Sequence, residues 1–372
     1  MTKSIGIVGA GLIGRLLALE LASSGYQVSL FDRDERLGAK SCGWTGAGML
    51  SPYSELESAE PVIFDLGIAS LELWPSIIKR LPKPVFFQRA GSLIVAHGRD
   101  RAELMRFKQR VESNLPASYS QVSMRWLTAE KIAEIEPDLG MRFHGGVFFE
   151  DEGQIDNRQL FGALEEALRQ LEIPWSTGVE VKGVKPHRIN FNESGVEREL
   201  SFDCVIDSRG LGGRSDWQEL RGVRGELITI YAPDLHLNRP IRLMHPRYPL
   251  YVVPREDQRF LVGATTIESE DQSPLCVQSA LELLSAAFSL HPGFAHAVIE
   301  ETRINCRPAL LNNNPRILFE PGLIRVNGLY RHGFLVSPKL VNLVTGLLSN
   351  KVPDPEFESV FAEEKLLGAS SR

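Results

Sequence analysis

The stretch IGIVGAGLIGRLLALELASSGYQVSLFD (Ile5–Asp32) decides the fold. Ile5–Val8 is a short apolar run that reads as a buried parallel strand. Gly9, Gly11 and Gly14 follow it as G-x-G-x-x-G. A helical pattern then runs from about Leu12 to Ser24 and stops at Gly25, a residue suited to a left-handed cap. A second apolar strand, Gln27–Phe31, ends on Asp32. In such a βαβ arm the first glycine permits the tight turn and the second lets a pyrophosphate approach the backbone. The third lets helix and strand pack closely. The helix start offers unpaired N–H groups and a positive dipole end to the phosphates. An acid at the end of the second strand accepts from a ribose 2′-OH, so Asp32 argues against a 2′-phosphate there.

The rest of the composition narrows the class. A chain of 372 residues buries a large core in one or two domains. Its formal net charge of −6 gives no electrostatic footprint for nucleic acid or an anionic membrane surface. The opening MTKSIGIVGAG enters the first strand at once, without the apolar core of a signal peptide. No apolar stretch reads as long enough to span a bilayer. Cys42, Cys204, Cys276 and Cys306 are scattered without a metal spacing and suit a reducing cytoplasm. A cytoplasmic enzyme is the expectation, and a homo-oligomer is left open.

Downstream, SCGWTGAGMLSP (41–52) is rich in small residues, and Gly46, Ala47 and Gly48 let a backbone approach a flat ligand. A helical pattern runs from Glu55 to about Leu81. Val85–Ala96 reads as a strand or hairpin with Gly91 inside it, and helices follow at Arg99–Asn114 and Thr128–Ile135. Strands are expected at Gly146–Glu150, Val179–Val184 and Glu199–Ile206, with Asp156 or Asn157 capping a helix to about Leu171. Gly210, Gly212 and Gly213 place small residues after a strand, where ligands bind in doubly wound sheets. From Gly222 short strands divided by turns replace the βαβ rhythm: Glu226–Ala232, Ile241–His245, Leu250–Pro254 and Arg259–Thr265. A helix, Val277–Leu290, comes next, and Gly322–Asn327 reads as a strand. Ser337 and Pro338 look like a hydroxyl cap and a first-turn proline, so a helix over Pro338–Leu348 is expected to aim its positive end at 328–336.

Seven segments together resemble a family. They are GIVGAGLIG (6–14), GAGMLSPYSE (46–55), RGVRGE (221–226), HPRYPLYVVPR (245–255), VGATTIE (262–268), CRPALLNNNP (306–315) and NGLYRHGFLVSP (327–338). Their order and spacing resemble FAD-dependent amine oxidases of the D-amino-acid oxidase type, most nearly the glycine oxidases of thiamine biosynthesis. The resemblance implies an α/β fold: a doubly wound, Rossmann-like FAD-binding domain and a second domain whose antiparallel sheet roofs the flavin. The domains are expected at 1–84, 146–221 and 301–372 for FAD, and at 85–145 and 222–300 for substrate.

Residue by residue, Arg307 matches the arginine that pairs with the substrate carboxylate, and Tyr251 the tyrosine that hydrogen-bonds the same group. Arg331 matches a second arginine beside flavin and substrate, and Met49 a residue packing near the substrate. Thr266 stands where some relatives carry methionine. The cofactor set implied is Gly9, Gly11, Leu12, Ile13, Gly14, Asp32, Arg33, Gly46, Ala47, Gly48, Met49 and Gly210, with Arg331, His332, Gly333, Phe334 and Leu335. His245 and His332 sit in matched motifs, but the reaction needs no protein base if the free amine binds. Tyr248 and Tyr330 are open between lining the pocket and packing.

The chemistry implied is hydride transfer from the α-carbon of glycine or another small amine to flavin N5. Oxygen is then reduced to hydrogen peroxide and the imine is hydrolysed or passed to thiazole synthesis. A planar guanidinium suits this work because two parallel hydrogen bonds to a carboxylate fix the angle of the Cα–H bond. Two alternatives remain open at this level: an amino-acid dehydrogenase that reduces a quinone, and a flavin- or NAD-binding module without turnover.

Overall fold

The computed structural model describes residues 2–363 apart from 118, 120–123, 194, 218, 246–249, 350 and 353. The opening arm folds as β1 (Ser4–Val8), α1 (Leu12–Ser23) and β2 (Gln27–Phe31). β1 is paired in parallel with β2 on one side and with Cys204–Asp207 on the other. Leu323–Asn327 joins in parallel beyond Cys204–Asp207, and Arg316–Glu320 returns antiparallel to it. The alternation of β1 decides what covers the sheet. Ile5 and Ile7 pack with α1 and with the helices Asn157–Gln170 and Gly333–Leu348. Val8 turns to the other face, against Val184, Ile189 and Phe191 of a three-stranded antiparallel sheet (Glu180–Lys185, Arg188–Glu193, Val196–Ser201). The strand expected over Glu199–Ile206 is therefore two. The Asp203 carboxylate accepts from the Ser4 N–H at 2.7 Å and the Ser4 hydroxyl at 2.9 Å, which turns the chain from one sheet into the other.

A second, eight-stranded sheet runs in the order Val298–Ala309, Arg221–Tyr231, Arg259–Gly263, Leu250–Pro254, Ile241–Leu243, Ser92–Val95, Gly145–Phe149, Met124–Thr128. All its pairs are antiparallel except Ile241–Leu243 with Ser92–Val95. The helix Val277–Leu290 packs on its outer face through Leu283, Ala286, Ala287 and Leu290. Val85–Ala96 is not a hairpin. Phe87–Gln88 pairs with Gly153–Ile155, whereas Ser92–Val95 enters the large sheet, and Gly91 makes the turn between them at φ +83°. The long strand Val298–Ala309 runs across the boundary expected at 300–301.

The pattern from Glu55 to Leu81 resolves into two helices, Pro52–Glu55 and Pro61–Lys79, each opened by a proline, which has no N–H to lose in a first turn. Pro61–Lys79 is, by length and composition, apolar enough to cross a bilayer, contrary to the sequence reading. Half of its apolar window is buried inside the protein, against the helix Gly333–Leu348. That last helix also departs from expectation. It begins at Gly333, four residues before Ser337, and carries Pro338 in its interior. Proline cannot donate to the carbonyl four residues back, so the Phe334 carbonyl loses its helical partner. Trp74 Nε1 donates to that carbonyl at 3.0 Å, and the Lys339 N–H donates to Ser70 Oγ at 3.1 Å. Two side chains 260 and 269 residues away thus replace what the proline removes. Trp74→Phe keeps an aromatic ring, drops the donor and leaves a small void in its place. It is expected to cost about 1–3 kcal/mol, the usual cost of an unsatisfied buried acceptor, measurable by denaturant unfolding.

Candidate active site

A cavity of about 940 Å³ lies between the C-terminal ends of the parallel strands and one face of the eight-stranded sheet. Its first wall is the glycine turn. Gly9 sits at φ +96°, and a Cβ there would fall 2.6 Å from the Ser208 carbonyl oxygen. A Cβ on Gly14 would fall 1.8 Å from the Gly9 oxygen. Gly14 is therefore a packing residue; unlike the other residues of the expected cofactor set it is not on the cavity wall. Gly11 differs from both. It precedes the first turn of α1, and a Cβ there meets nothing within 4 Å. That open space beside the first-turn N–H groups of Leu12 and Ile13 fits a pyrophosphate.

Asp32 closes this end. Its carboxylate accepts from the Ala10 N–H and, at 2.6 Å, from the Asp34 N–H, which holds it half-buried on the wall. Arg33 is exposed beside it. Arg15, fully buried, ties the turn together from behind: Nε donates to the Ala10 carbonyl at 2.8 Å and Nη2 to the Arg36 carbonyl at 2.6 Å. Its plane lies over Phe161 and Trp175, and burial lowers its pKa to about 10.

The second wall is the loop of Gly46, Ala47, Gly48 and Met49. Arg255 holds it in place, donating from Nη2 to the Ala47 carbonyl at 2.5 Å and from Nη1 to Gln154 at 3.0 Å. The third wall is the start of the helix Gly333–Leu348, where Arg331, His332, Gly333, Phe334 and Leu335 all face the cavity across from Gly210. First-turn N–H groups have no acceptor within their own helix, so this end presents positive potential to the space it faces. His332 is buried, and its Nδ1 has no hydrogen-bond partner among the described residues. Burial lowers its pKa to about 4, so the ring is neutral near pH 7.

The roof follows from strand register. Arg242 stands opposite Tyr251, Tyr251 opposite Gly263 and Gly263 opposite Leu227; Gly225 stands opposite Asn305. Side chains on a strand alternate, so Leu227 and Gly225 share a face, as do Asn305 and Arg307. One side of the sheet therefore carries Arg242, Tyr251, Gly225 and Arg307, and all four line the cavity. Arg307 donates from Nη1 to the Thr265 carbonyl at 3.2 Å and the Arg224 carbonyl at 3.4 Å, with no acidic partner among the described residues. The Tyr251 hydroxyl has none either; burial pushes its pKa up while Arg307 and Arg331 pull the other way. Thr266 is exposed on the same wall. Tyr330 lines it too, whereas Tyr248 lies outside the described residues.

Arg331 is not free. Its Nε and Nη2 donate to Glu55 at 3.1 and 2.7 Å, and Nη2 also reaches Ser58 at 3.0 Å. Glu55 and its neighbour Glu152 are driven apart. Burial pushes Glu55 up, but Arg331 and His332 outweigh it and hold the carboxyl at about 2. Burial pushes Glu152 up to about 7, against hydrogen bonds from Ser92 and from the Ser54 N–H (2.6 Å) and hydroxyl (2.8 Å). Glu152 keeps its proton in the folded state after the unfolded chain has released it. Its contribution is therefore fully present below its ordinary 4.5 and is lost as pH rises through 7. Relative to Glu152→Gln, the wild type should lose roughly 3 kcal/mol over that window, seen in unfolding followed against pH. Glu55 works in the opposite sense and is lost only as pH falls below its ordinary range toward 2.

Sequence reasoning assigned no role to Gly225, Glu55 or Arg255. Each lies inside one of the seven family-like segments, and a glycine in mid-strand is itself a sign of close approach.

The family model of the FAD dependent oxidoreductases called DAO matches residues 4–345. A putative thiamine biosynthesis oxidoreductase, ThiO, of Rhizobium etli is 38% identical over 348 residues, covering 94% of this chain and 97% of that one. The glycine oxidase of Bacillus licheniformis is 24% identical, covering 96% of both. The crystal structure of glycine oxidase from Geobacillus kaustophilus superposes with a TM-score of 0.83 at 23% identity, covering 97% of this chain and 98% of that one. With the glycine turn, the roofed cavity and a match along nearly the whole length, the chain belongs to the DAO family of FAD-dependent oxidoreductases.

Proposed function

We propose that the protein oxidises glycine and related small amines, with oxygen as final acceptor giving hydrogen peroxide, and that the imine serves the thiazole of thiamine. The names of the ThiO and glycine oxidase relatives support this reading. The observation that carries it is Arg307, a guanidinium on the cavity wall with Tyr251, neither of them having an acidic partner among the described residues. Bound FAD supplies the acceptor for a hydride from the carbon that bears the amine.

The chain's own part is binding and orientation. The free edge of Arg307 grips a carboxylate through two parallel hydrogen bonds, and Tyr251 donates a third. The helix beginning at Gly333, the turn at Gly11 and the loop 46–49 would hold the cofactor, since all three line the one cavity. Arg331, anchored by Glu55, borders the site as a fixed cation rather than a free clamp. Neutral His332 adds no charge, and the amine enters as its free base. In this reading residues 1–84, 146–221 and 301–372 form the cofactor part and 85–145 with 222–300 the substrate part, with 301–309 lent to the roof. Four free cysteines suit a reducing cytoplasm.

Anaerobic glycine should bleach the yellow holoenzyme, and air should restore the colour with hydrogen peroxide formed in step with glycine loss. Reduced protein that reoxidises only with a quinone would overturn the oxidase reading. A yellow protein that no amine bleaches would overturn turnover itself.

A further inference from the structure

We propose that Gly225 is a positioning residue: the bare backbone on which the Arg307 guanidinium lies, and which sets where a substrate carboxylate is held. The inference rests on the clamp role proposed for Arg307.

Glycine weakens a strand interior, so its place in the middle of the eleven-residue strand Arg221–Tyr231 calls for a reason. The register supplies one. Arg307 is opposite Val223 and therefore diagonal to Gly225 on the same face, and its side chain leans along the strand across the glycine. A Cβ on Gly225 would fall 2.3 Å from Arg307 Cζ and Nη2 and 2.6 Å from Nη1, and these three guanidinium atoms are its nearest neighbours. Among the described residues no other atom comes as close. A side chain at 225 thus collides first with the functional group of the site.

Gly225 is one side of a seat. The other is the Thr265 carbonyl, which accepts from Arg307 Nη1 at 3.2 Å. Thr265 is itself fixed: its hydroxyl donates to Glu226 at 2.9 Å and accepts from the Glu226 N–H at 3.0 Å. Glu226 is locked by Arg224, with Nε and Nη2 at 2.9 and 2.6 Å from one carboxylate oxygen, both residues buried. One edge of the Arg307 fork is thereby spent on backbone carbonyls and its plane pressed flat on the sheet. The remaining edge faces the cavity. Raising the seat by one methyl group lifts the fork from those carbonyls and moves it toward the substrate.

The test is a cycle of Gly225→Ala, Arg307→Ala and the double variant. Each is purified with FAD, and the Kd for acetate, a simple carboxylate, is read from the flavin spectrum, along with KM and kcat for glycine. Gly225→Ala should retain FAD and weaken acetate and raise KM by roughly tenfold to a hundredfold, the cost of about an ångström of misplacement. In the Arg307→Ala background the same change should have no further effect, because the atoms it collides with are gone. If Gly225→Ala does not fold, the double variant should fold. An unchanged acetate Kd, equal losses with and without Arg307, or a double variant that fails to fold overturns the proposal. Acetate binding needs no turnover, so a protein that glycine does not bleach would sink the proposed function and leave this coupling standing or falling on its own reading.

Discussion

Arg307→Ala is expected to purify yellow and folded, and to lose kcat/KM for glycine by about 2–5 kcal/mol, the range for removing one member of a buried charge pair. Folding should survive because Arg307 makes no ion pair among the described residues and gives two hydrogen bonds to backbone carbonyls. Its removal strands no buried charge. The same change at Arg331 is a worse experiment, since it leaves Glu55 without its main partner and confounds substrate binding with stability. Steady-state kinetics with glycine, together with acetate binding, separate the outcomes. An Arg307→Ala enzyme with unchanged kcat/KM would remove this residue from the site.

Gly11→Val is expected to give a folded, colourless protein. Gly11 has φ −67°, a conformation open to any residue, and a Cβ meets no protein atom within 4 Å. The variant therefore pays little in the fold, unlike Gly9 at φ +96° or Gly14 against a carbonyl. Two γ-methyl groups instead fill the space proposed for the pyrophosphate beside the first turn of α1. The ratio of visible to ultraviolet absorbance after purification reads the result. Full FAD occupancy in Gly11→Val would show that the phosphates lie elsewhere.

Much of the nucleotide end was legible because its requirements are local. A tight turn, a close approach and an acid at a strand end lie within 28 residues, and each constrains a residue type. The helix Val277–Leu290 was legible for the same reason, with its periodicity intact. What the sequence hid was settled by contacts distant along the chain. Ser337–Pro338 reads as a helix start, and nothing nearby reveals that Trp74 and Ser70 allow the proline to sit inside the helix. Glu199–Ile206 reads as one strand until Ser4 captures Asp203. At the site, Arg307, Tyr251, Met49 and Thr266 were picked out by motif and do share one cavity. Arg331 was placed there too, but its tie to Glu55 depends on how the segment after Met49 folds back, which no spacing records. Gly225 was overlooked because its partner lies 82 positions later, on the neighbouring strand.

The strand order has a consequence for biosynthesis. β1 is made long before one of its two neighbours, Cys204–Asp207, and longer still before the next strand outward, Leu323–Asn327. At roughly 5–20 residues per second, tens of seconds of translation separate the first glycine turn from the helix that faces it. Until Cys204–Asp207 is made β1 lacks half its pairing, and until the segment at Gly333 is made the cradle lacks one wall. The FAD cradle is therefore complete only after the segment around Gly333 has been made.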